Sequence, residues 1–231
     1  MTTNHGHTTG AELSLAKIRS VNVGEIRTLE WRGRQVTTAI WKEPVGQPVR
    51  IRRLAVTGDQ QADLELHGGA DKAVYAYARE DSDWWQQQLG RRVNDGLFGE
   101  NLTVSGLVLA DAVIGERWAV GTGLMEVSQP RIPCYKLGIR IGDPLFPRWF
   151  AEAGRPGAYL RVIREGDVAA GDPIAVVSRP SHGVTIGNME RAYRGDRAML
   201  ARLTDLPELP DAWRDWTVRM LLPNTGPPES V

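Results

Sequence analysis

Residues 62–78 read ADLELHGGADKAVYAYA and contain two extended segments joined by a pair of glycines. In the first segment two leucines alternate with two acidic residues, the two-residue period of a half-buried strand. The second segment, KAVYAYA, is also typical of a strand. Short runs of this kind recur from residue 16 to about residue 180, separated by Gly, Asp and Pro. Many short strands with little helix predict a mainly β domain, a barrel or a sandwich.

A few segments break this pattern and predict helices. REDSDWWQQQLG, residues 79–90, begins with acidic side chains and ends at a glycine. LFPRWFAEAG, residues 145–154, also ends at a glycine. Residues 181–222 contain three short helical runs separated by Gly or Pro. Such a short helical piece buries little core alone, so it is expected to pack on the β domain.

These patterns predict four parts of an α+β chain that is mainly β. The expected division is a flexible tail over 1–15, a β domain over 16–180, a three-helix module over 181–222 and a flexible tail over 223–231.

Charge and composition argue against several classes of partner. The 28 Lys and Arg balance the 28 Asp and Glu, whereas chains that bind nucleic acid or anionic membranes usually have a basic excess. A helix-turn-helix in the C-terminal module is therefore disfavoured. No apolar run approaches the roughly 18 residues of a membrane span, and the N-terminal residues lack a secretory signal. We expect a cytoplasmic protein with no nucleic-acid or membrane partner.

The sequence has a single cysteine, Cys134, within QPRIPCYKL. One cysteine forms no internal disulfide and holds no iron–sulfur cluster alone, and the four histidines are too scattered for a structural zinc site. A lone cysteine is commonly a small core residue. Here Arg131 and Lys136 are close in sequence, and cations favour the reactive thiolate. Two prolines flank the segment and predict a stiff loop, which favours a metal-binding or nucleophilic role.

A second candidate site is the turn after the first strand of residues 62–78. His67 ends that strand, and Gly68 and Gly69 let the backbone approach a ligand closely. Successive N–H groups in such a turn can bind an anion, with Lys72 adding positive charge. A plain glycine turn with a capping histidine is an equally good explanation.

Two further segments contain polar residues of possible function. In FGENLTVSGL, the Asn101 amide offers a donor and an acceptor to a pterin or base edge, although Asn is also common in ordinary turns. In TTAIWKEPV, Thr37, Thr38 and Lys42 are possible phosphate contacts. A solvated lysine is the more common outcome at such a position.

Taken in order, these segments resemble the MOSC domain family, named for the C-terminal domain of molybdenum cofactor sulfurases, and its small stand-alone YiiM-like branch. The resemblance covers about residues 16–216. The strings that carry it are TTAIWKEPV, GDQQADLELHGGADKAVYAY, FGENLTVSGL and QPRIPCYKLG, followed by the helical segment HGVTIGNMERAYRGDRAMLARLTDLPELPDAWR. It implies a MOSC β-barrel-like domain followed by a three-helix C-terminal module.

The resemblance also implies a bound molybdenum cofactor, in which a pterin dithiolene holds the metal and carries a phosphate. The cysteine that gives a thiolate to molybdenum in this family falls on Cys134, and a soft thiolate suits such a metal. Arg131 and Lys136 would counter the negative charge of the cofactor.

The remaining predicted cofactor-binding residues are less specific. The turn His67–Gly68–Gly69 would approach the cofactor through its backbone, with a hydrogen bond from His67. Lys72 would add charge, and Asn101 would line the site.

Proteins of this family reduce N-hydroxylated compounds, including hydroxylamino base analogues, and release the oxygen as water. The resemblance therefore implies a molybdenum-dependent oxidoreductase of N-hydroxylated substrates, with a role in detoxification. Since the chain has no flavin, haem or iron–sulfur motif, electrons would come from a separate reductase or carrier. The proton donor is left open between Glu100 and His67.

Two alternatives stay open. The chain could bind or carry the molybdenum cofactor without turnover, or it could transfer sulfur through a persulfide on Cys134. Pyridoxal phosphate is not expected, because no lysine is marked for a Schiff base and the pyridoxal domain of the sulfurases is absent. The sequence leaves the physiological substrate, the electron donor and the oligomeric state undetermined.

Overall fold

The protein folds around one curled, eight-stranded sheet that forms a half-barrel. The structure is a computed structural model that describes residues 16–62 and 68–222. Its strands are β1 Lys17–Val23, β2 Arg27–Trp31, β3 Arg34–Thr38, β4 Glu43–Val45, β5 Val49–Ile51, β6 Val74–Ala78, β7 Leu102–Ser105, β8 Arg117–Val120, β9 Gly123–Gln129, β10 Ala158–Arg164, β11 Gly166–Val168 and β12 Ile174–Ser178. Its α-helices are α1 Arg79–Leu89, α2 Tyr135–Ile141, α3 Phe146–Glu152, α4 Ile186–Tyr193, α5 Arg197–Leu203 and α6 Asp211–Leu221.

The main sheet has the order β12-β8-β9-β10-β6-β7-β1-β4. Its neighbouring strands are antiparallel except β6 and β7, which run parallel with Ala76 opposite Leu102. Two smaller antiparallel pairs, β2–β3 and β5–β11, accompany it. The predicted mainly β, α+β class with a barrel-like domain and helices is confirmed.

Strand β6 lies between two hydrophobic cores, and all five of its side chains are buried. Val74, Ala76 and Ala78 point into the main core, whereas Tyr75 and Tyr77 point into a second, aromatic core. The predicted strand KAVYAYA is therefore confirmed over its last five residues, whereas Lys72 ends a short 3-10 helix. The strand predicted just before it falls on residues 63–67, outside the described part of the chain.

The main core is continuous from the sheet into helices α4, α5 and α6. Met189, Leu203 and Trp213, one from each helix, are buried in the same cluster as the sheet residues. The C-terminal helices thus pack on the β region, as expected from their small size. The exact division at residue 180 stays a prediction, and the two predicted tails lie outside the described residues.

The predicted helices follow their end signals. Helix α1 ends at Gly90, which is left-handed (φ 60°), and α4 begins with a capping box between Thr185 and Asn188. Within the described residues, no helix is long and apolar enough to cross a membrane.

Helix α2 was not predicted. The expected loop over Pro130–Cys134 is present, but a helix begins at the residue after Cys134. Its start lacks a Ser, Thr, Asp or Asn cap, so the usual sequence signal is absent. The helix is instead stabilised by packing, because Leu137 and Ile141, four residues apart, are both buried in the aromatic core.

Candidate functional site

Cys134 ends the loop that leaves strand β9. Its backbone is extended (φ −119°, ψ 170°) and it occupies the N-cap position of α2. Its carbonyl oxygen accepts a hydrogen bond from the N–H of Leu137 at 3.0 Å. The side chain is half-buried and forms no disulfide. It lies between two cavities and contributes to the lining of both.

We call the first of these the basic cavity, because three of its lining residues are cationic. The cavity has a volume of about 100 Å³. Its lining residues are Thr38, Ala39, Ile40, Lys42, Gln60, Gln61, Ala62, Gly99, Arg131, Cys134, Lys136 and Tyr159. Arg131 and Lys136, the two cations predicted to flank the thiol, are thus brought to the same cavity as Cys134.

Arg131 is buried and held by several groups at once. Its guanidinium donates to the carbonyl of Phe98 and lies 5.0 Å from the ring centroid of Tyr75. Burial alone would lower the pKa of Arg131, but the nearby Tyr75, Tyr159 and Cys134 outweigh it, so the pKa lies above its usual value. A permanent positive charge next to the sulfur favours a negative group at this position.

Lys42 brings a second buried cation to the basic cavity. Its ammonium group forms an ion pair with Asp59, and the side chains are only 9% and 2% exposed. Burial lowers the pKa of Lys42, an effect that the charge of Asp59 partly opposes. The usual expectation of a solvated lysine is therefore wrong for this residue.

The two threonines before Lys42 face opposite ways, as neighbours on strand β3 do. Thr38 is buried and lines the basic cavity. Thr37 is exposed, and its hydroxyl lies 3.2 Å from that of Thr28 on strand β2. Of the three polar residues proposed as phosphate contacts, Thr38 and Lys42 therefore line the cavity and Thr37 does not.

Asn101 lies behind the cavity wall. Its side-chain oxygen accepts the N–H of Tyr75 at 3.1 Å, and its amide nitrogen donates to Asp59 at 2.9 Å. Asp59 also accepts the N–H of Gly24 at 2.8 Å. Asn101 thus positions Asp59, which in turn holds Lys42, and it is not among the residues that line either cavity.

The turn before Asn101 is built around the buried carboxylate of Glu100. This carboxylate accepts the N–H of Gly96 at 2.6 Å, the N–H of Phe98 at 3.0 Å and the hydroxyl of Thr103 at 3.0 Å. Burial raises the pKa of Glu100. Glu100 is absent from the lining of both cavities, so the structure gives it a role in shaping the turn.

Gly99 in the same turn allows close approach of two segments. Its φ is 77°, in the left-handed region, and a Cβ atom built on it would lie 2.9 Å from Cγ1 of Ile40. Because Ile40 and Gly99 both line the basic cavity, a side chain at residue 99 would displace part of its wall.

The glycine turn predicted to bind the cofactor is only partly described. His67 lies outside the described residues. Gly69 has φ 92° and precedes a short 3-10 helix, Ala70–Lys72. Gly68 and Gly69 do not line either cavity among the described residues, and Lys72 lines the second cavity. Their cofactor contacts stay predictions.

We call the second cavity the aromatic cleft. It has a volume of about 490 Å³ and lies between the cysteine loop and the helices α4 and α6. Its lining residues are Lys72, Gln129, Pro130, Ile132, Pro133, Cys134, Tyr159, Tyr193, Ala212, Trp213 and Trp216. Cys134 and Tyr159 line both cavities, so they lie at the junction between a basic and an aromatic surface.

Several of these residues were not anticipated from the sequence. Asp59 is inside a string that carried the family resemblance, but its partners are 17 and 42 residues away in the chain. Tyr159 belongs to a segment predicted only as a strand. The helical spacing of Trp213 and Trp216 predicts that they face a partner surface, and the structure places both in the lining of the aromatic cleft. In the described part of the chain, no three His, Cys, Asp or Glu side chains are grouped so that they could hold a metal ion.

Comparison with known proteins places this arrangement in a family. The model of the MOSC domain matches residues 63–175. The uncharacterized protein YflK of Bacillus subtilis is 36% identical over 85% of this chain and 90% of its own length. The chain belongs to the MOSC domain family. MOSC domains are, as a family, molybdenum-cofactor-binding domains.

Two further similarities refine the family placement. The crystal structure of YiiM from Geobacillus stearothermophilus superposes with a TM-score of 0.76 at 33% identity, over 90% of this chain and 100% of that one. The chain is thus a YiiM-like MOSC protein. A protein named Reductase from Gibberella moniliformis is 31% identical over 77% of this chain, which corresponds to 32% of that protein.

Proposed function

We propose that this MOSC protein is a molybdenum-cofactor-dependent reductase of N-hydroxylated compounds, such as hydroxylamino base analogues and N-oxygenated xenobiotics. The observation that carries the proposal is the position of Cys134, at the junction of a basic cavity and an aromatic cleft. A cofactor and a substrate could therefore occupy different sides of the same sulfur. A reductase name among the relatives supports the reaction type.

The residues present fit the cofactor by their chemistry. A thiolate is a soft ligand, which suits a metal already held by sulfur. Lys42, Arg131 and Lys136 provide positive charge on the side where an anionic pterin with its phosphate would bind. We assign metal ligation to Cys134 and charge compensation to Arg131 and Lys136, because the charge of Lys42 is already balanced by Asp59.

When bound, the cofactor would supply the two electrons that, with two protons, convert an N-hydroxyl group into an N–H group and water. Tyr159 lies at the junction, and burial raises the pKa of its hydroxyl despite the opposing charge of Arg131. The phenol therefore keeps its proton at neutral pH and can donate a hydrogen bond to an oxygen bound there. Glu100 does not reach either cavity, so we do not assign it as the proton donor.

We propose that the electrons come from a separate reductase or a small electron carrier. We propose a cytoplasmic location, because a chain with one cysteine has no internal disulfide that would call for an oxidising compartment.

The test begins with metal analysis of protein expressed in hosts that do and do not make the molybdenum cofactor. We expect near-stoichiometric molybdenum only from the first host, and loss of the metal in Cys134→Ser. The loaded protein, supplied with a chemical reductant, should reduce a hydroxylaminopurine to the aminopurine. Thr37→Ala, an exposed change on a neighbouring strand, serves as the control that keeps metal and activity.

The alternative of a non-catalytic carrier predicts bound molybdenum without turnover of any N-hydroxylated compound. The aromatic cleft beside Cys134 argues for an enzyme, because a carrier needs only the cofactor-binding side. Equal activity of wild type and Cys134→Ser would overturn the reductase proposal.

A further inference from the structure

We infer that the C-terminal helical module provides the substrate-recognition wall of this site: Tyr193 and Trp216, supported by Trp213, bind the face of a flat heteroaromatic substrate next to Cys134. The inference rests on the proposed function and deepens it. It assigns substrate selection to residues outside the segment matched by the MOSC family model, which ends at residue 175.

The three aromatic rings form one cluster on helices α4 and α6. The centroid of Tyr193 is 5.9 Å from that of Trp213 and 5.4 Å from that of Trp216. The two tryptophans, three residues apart on α6, lie 5.2 Å apart in an edge-to-face arrangement. These distances are those of rings in contact.

Trp213 ties this cluster to the cysteine loop. Its indole N–H donates to the side-chain oxygen of Gln129 at 2.6 Å. Gln129 is the last residue of β9, directly before the loop that ends at Cys134, and its amide nitrogen donates to the carbonyl of Asp71 at 3.3 Å. The aromatic cluster is therefore positioned relative to the sulfur by a buried hydrogen bond.

The outer two rings are more than core packing. Trp213 is 7% exposed, whereas Tyr193 is 46% exposed and Trp216 is only half-buried. A large aromatic residue that lines a cleft and keeps an accessible face offers contact area to a ligand. The cleft volume of about 490 Å³ falls within the usual range of small-molecule sites.

The lining favours a flat heteroaromatic occupant over an aliphatic one. Pro133 and Ile132 provide an apolar surface, and the rings of α4 and α6 provide stacking surfaces. Lys72, in the same lining, adds a hydrogen-bond donor that can meet a ring nitrogen or an exocyclic oxygen. With Cys134 in the same lining, a bound ring would present its N-hydroxyl substituent close to the sulfur.

One competing occupant within the chain is the segment after Leu222, residues 223–231. Its sequence, PNTGPPESV, has no aromatic residue and no long aliphatic side chain with which to cover two tryptophans. We therefore commit to the small aromatic ligand, and removal of these residues is an arm of the test.

The first experiment measures binding without the cofactor. Adenine, a flat ring with no N-hydroxyl group, is titrated calorimetrically into cofactor-free protein. Trp216→Ala and Tyr193→Ala should each weaken binding about tenfold, about 1.4 kcal/mol, the scale of base–aromatic stacking. Trp216→Phe should retain most of the affinity, because it keeps a ring at this position. Trp149→Ala removes an exposed tryptophan on α3 that does not line the cleft, and should bind as wild type.

The second experiment uses the loaded enzyme and two substrates. For Trp216→Ala, KM for a hydroxylaminopurine should rise about tenfold, while kcat/KM for N-hydroxyurea, which has no ring, stays unchanged. Molybdenum content should equal that of wild type. Thermal melting identifies any variant that fails to fold, and the exposed Tyr193→Ala then still tests the inference.

These arms separate the inference from the proposed function. If molybdenum is absent but adenine binding depends on Trp216, the reductase proposal falls and the aromatic site stands. If the enzyme is active but Trp216→Ala changes neither adenine binding nor the KM for the purine, the inference is overturned. It is also overturned if deletion of residues 223–231 strengthens adenine binding tenfold or more, because the segment would then be the occupant.

Discussion

The ion pair between Lys42 and Asp59 offers the sharpest test of the electrostatics behind the basic cavity. Asp59→Asn keeps the shape of the side chain but removes its charge, and leaves the ammonium group of Lys42 buried. Breaking a buried pair from one side typically costs about 3–5 kcal/mol, because the remaining charge is uncompensated. The side chains of this pair are 9% and 2% exposed, so the full range applies. We expect the free energy of unfolding at pH 7 to fall by about 3 kcal/mol.

The new amide also faces the wrong partner. The amide nitrogen of Asn101 donates to Asp59 at 2.9 Å, and the Asn101 oxygen is already held by the N–H of Tyr75. The carboxylate of Asp59 accepts hydrogen bonds from Gly24, Lys42 and Asn101. An asparagine has a single side-chain oxygen, which can face Gly24 or Asn101 but not both, so at least one of the three hydrogen bonds is lost. This loss adds to the electrostatic cost.

The effect should depend on pH in a defined direction. Burial places the pKa of Lys42 in the folded protein below its usual 10.5, and the charge of Asp59 limits that shift. Lys42 is therefore protonated to a greater extent in the unfolded chain than in the folded protein. As the pH rises towards the pKa of Lys42 in the unfolded chain, the free energy of unfolding rises. Without Asp59 the pKa of Lys42 falls further. The stability difference between wild type and Asp59→Asn should therefore shrink from pH 7 to pH 10.

Urea unfolding of both proteins at several pH values measures this difference. Asp167→Asn is the matched control, because Asp167 is 57% exposed and its ion pair with Arg50 is long, at 3.8 Å; it should change stability by less than about 0.5 kcal/mol. A loss below about 1 kcal/mol for Asp59→Asn, or a loss that grows with pH, would refute the reasoning.

Three further outcomes follow from the same region. Gly99→Ala should lower the free energy of unfolding by about 1–3 kcal/mol, because φ of residue 99 is 77° and the new Cβ would lie 2.9 Å from Cγ1 of Ile40. Denaturant titration measures this loss, and an unchanged unfolding midpoint would contradict the prediction. Burial raises the pKa of Glu100 in the folded protein above its usual 4.5. As the pH rises from about 4.5 through this raised pKa, wild type should therefore lose stability relative to Glu100→Gln. A stability difference that does not change with pH would count against this. Trp213→Phe should cost about 1–3 kcal/mol in thermal unfolding, because the buried oxygen of Gln129 loses its donor; a neutral effect would indicate that water replaces the indole.

Local sequence signals predicted most of the elements of this fold. The apolar run at β6 and the glycine that ends α1 are short-range features, so they could be identified directly. Helix α2 was missed because Cys134 gives no side-chain cap and the packing of Leu137 depends on residues far away in the chain. Packing across the molecule, unlike a cap or a period, leaves no local pattern.

The candidate site was predictable only in part for the same reason. Cys134, Arg131 and Lys136 are within six residues of one another, and they share one cavity. Asn101 was expected to line that cavity, but a one-residue difference in a turn decides whether a side chain faces inwards or outwards, and here it holds Asp59. Lys72 lines the aromatic cleft together with Cys134, and its predicted contact with the cofactor stays a prediction.

Strand β6 has no face turned to water, since its side chains alternate between two cores. Natural variation along this strand is therefore constrained twice: a larger residue at Ala76 crowds the sheet interior, and a smaller one at Tyr77 leaves a hole among the aromatic rings. Anyone diversifying this scaffold in the laboratory should leave residues 74–78 untouched and place changes at the exposed positions of the β2–β3 hairpin, such as Thr28 and Thr37, where a poor choice costs little.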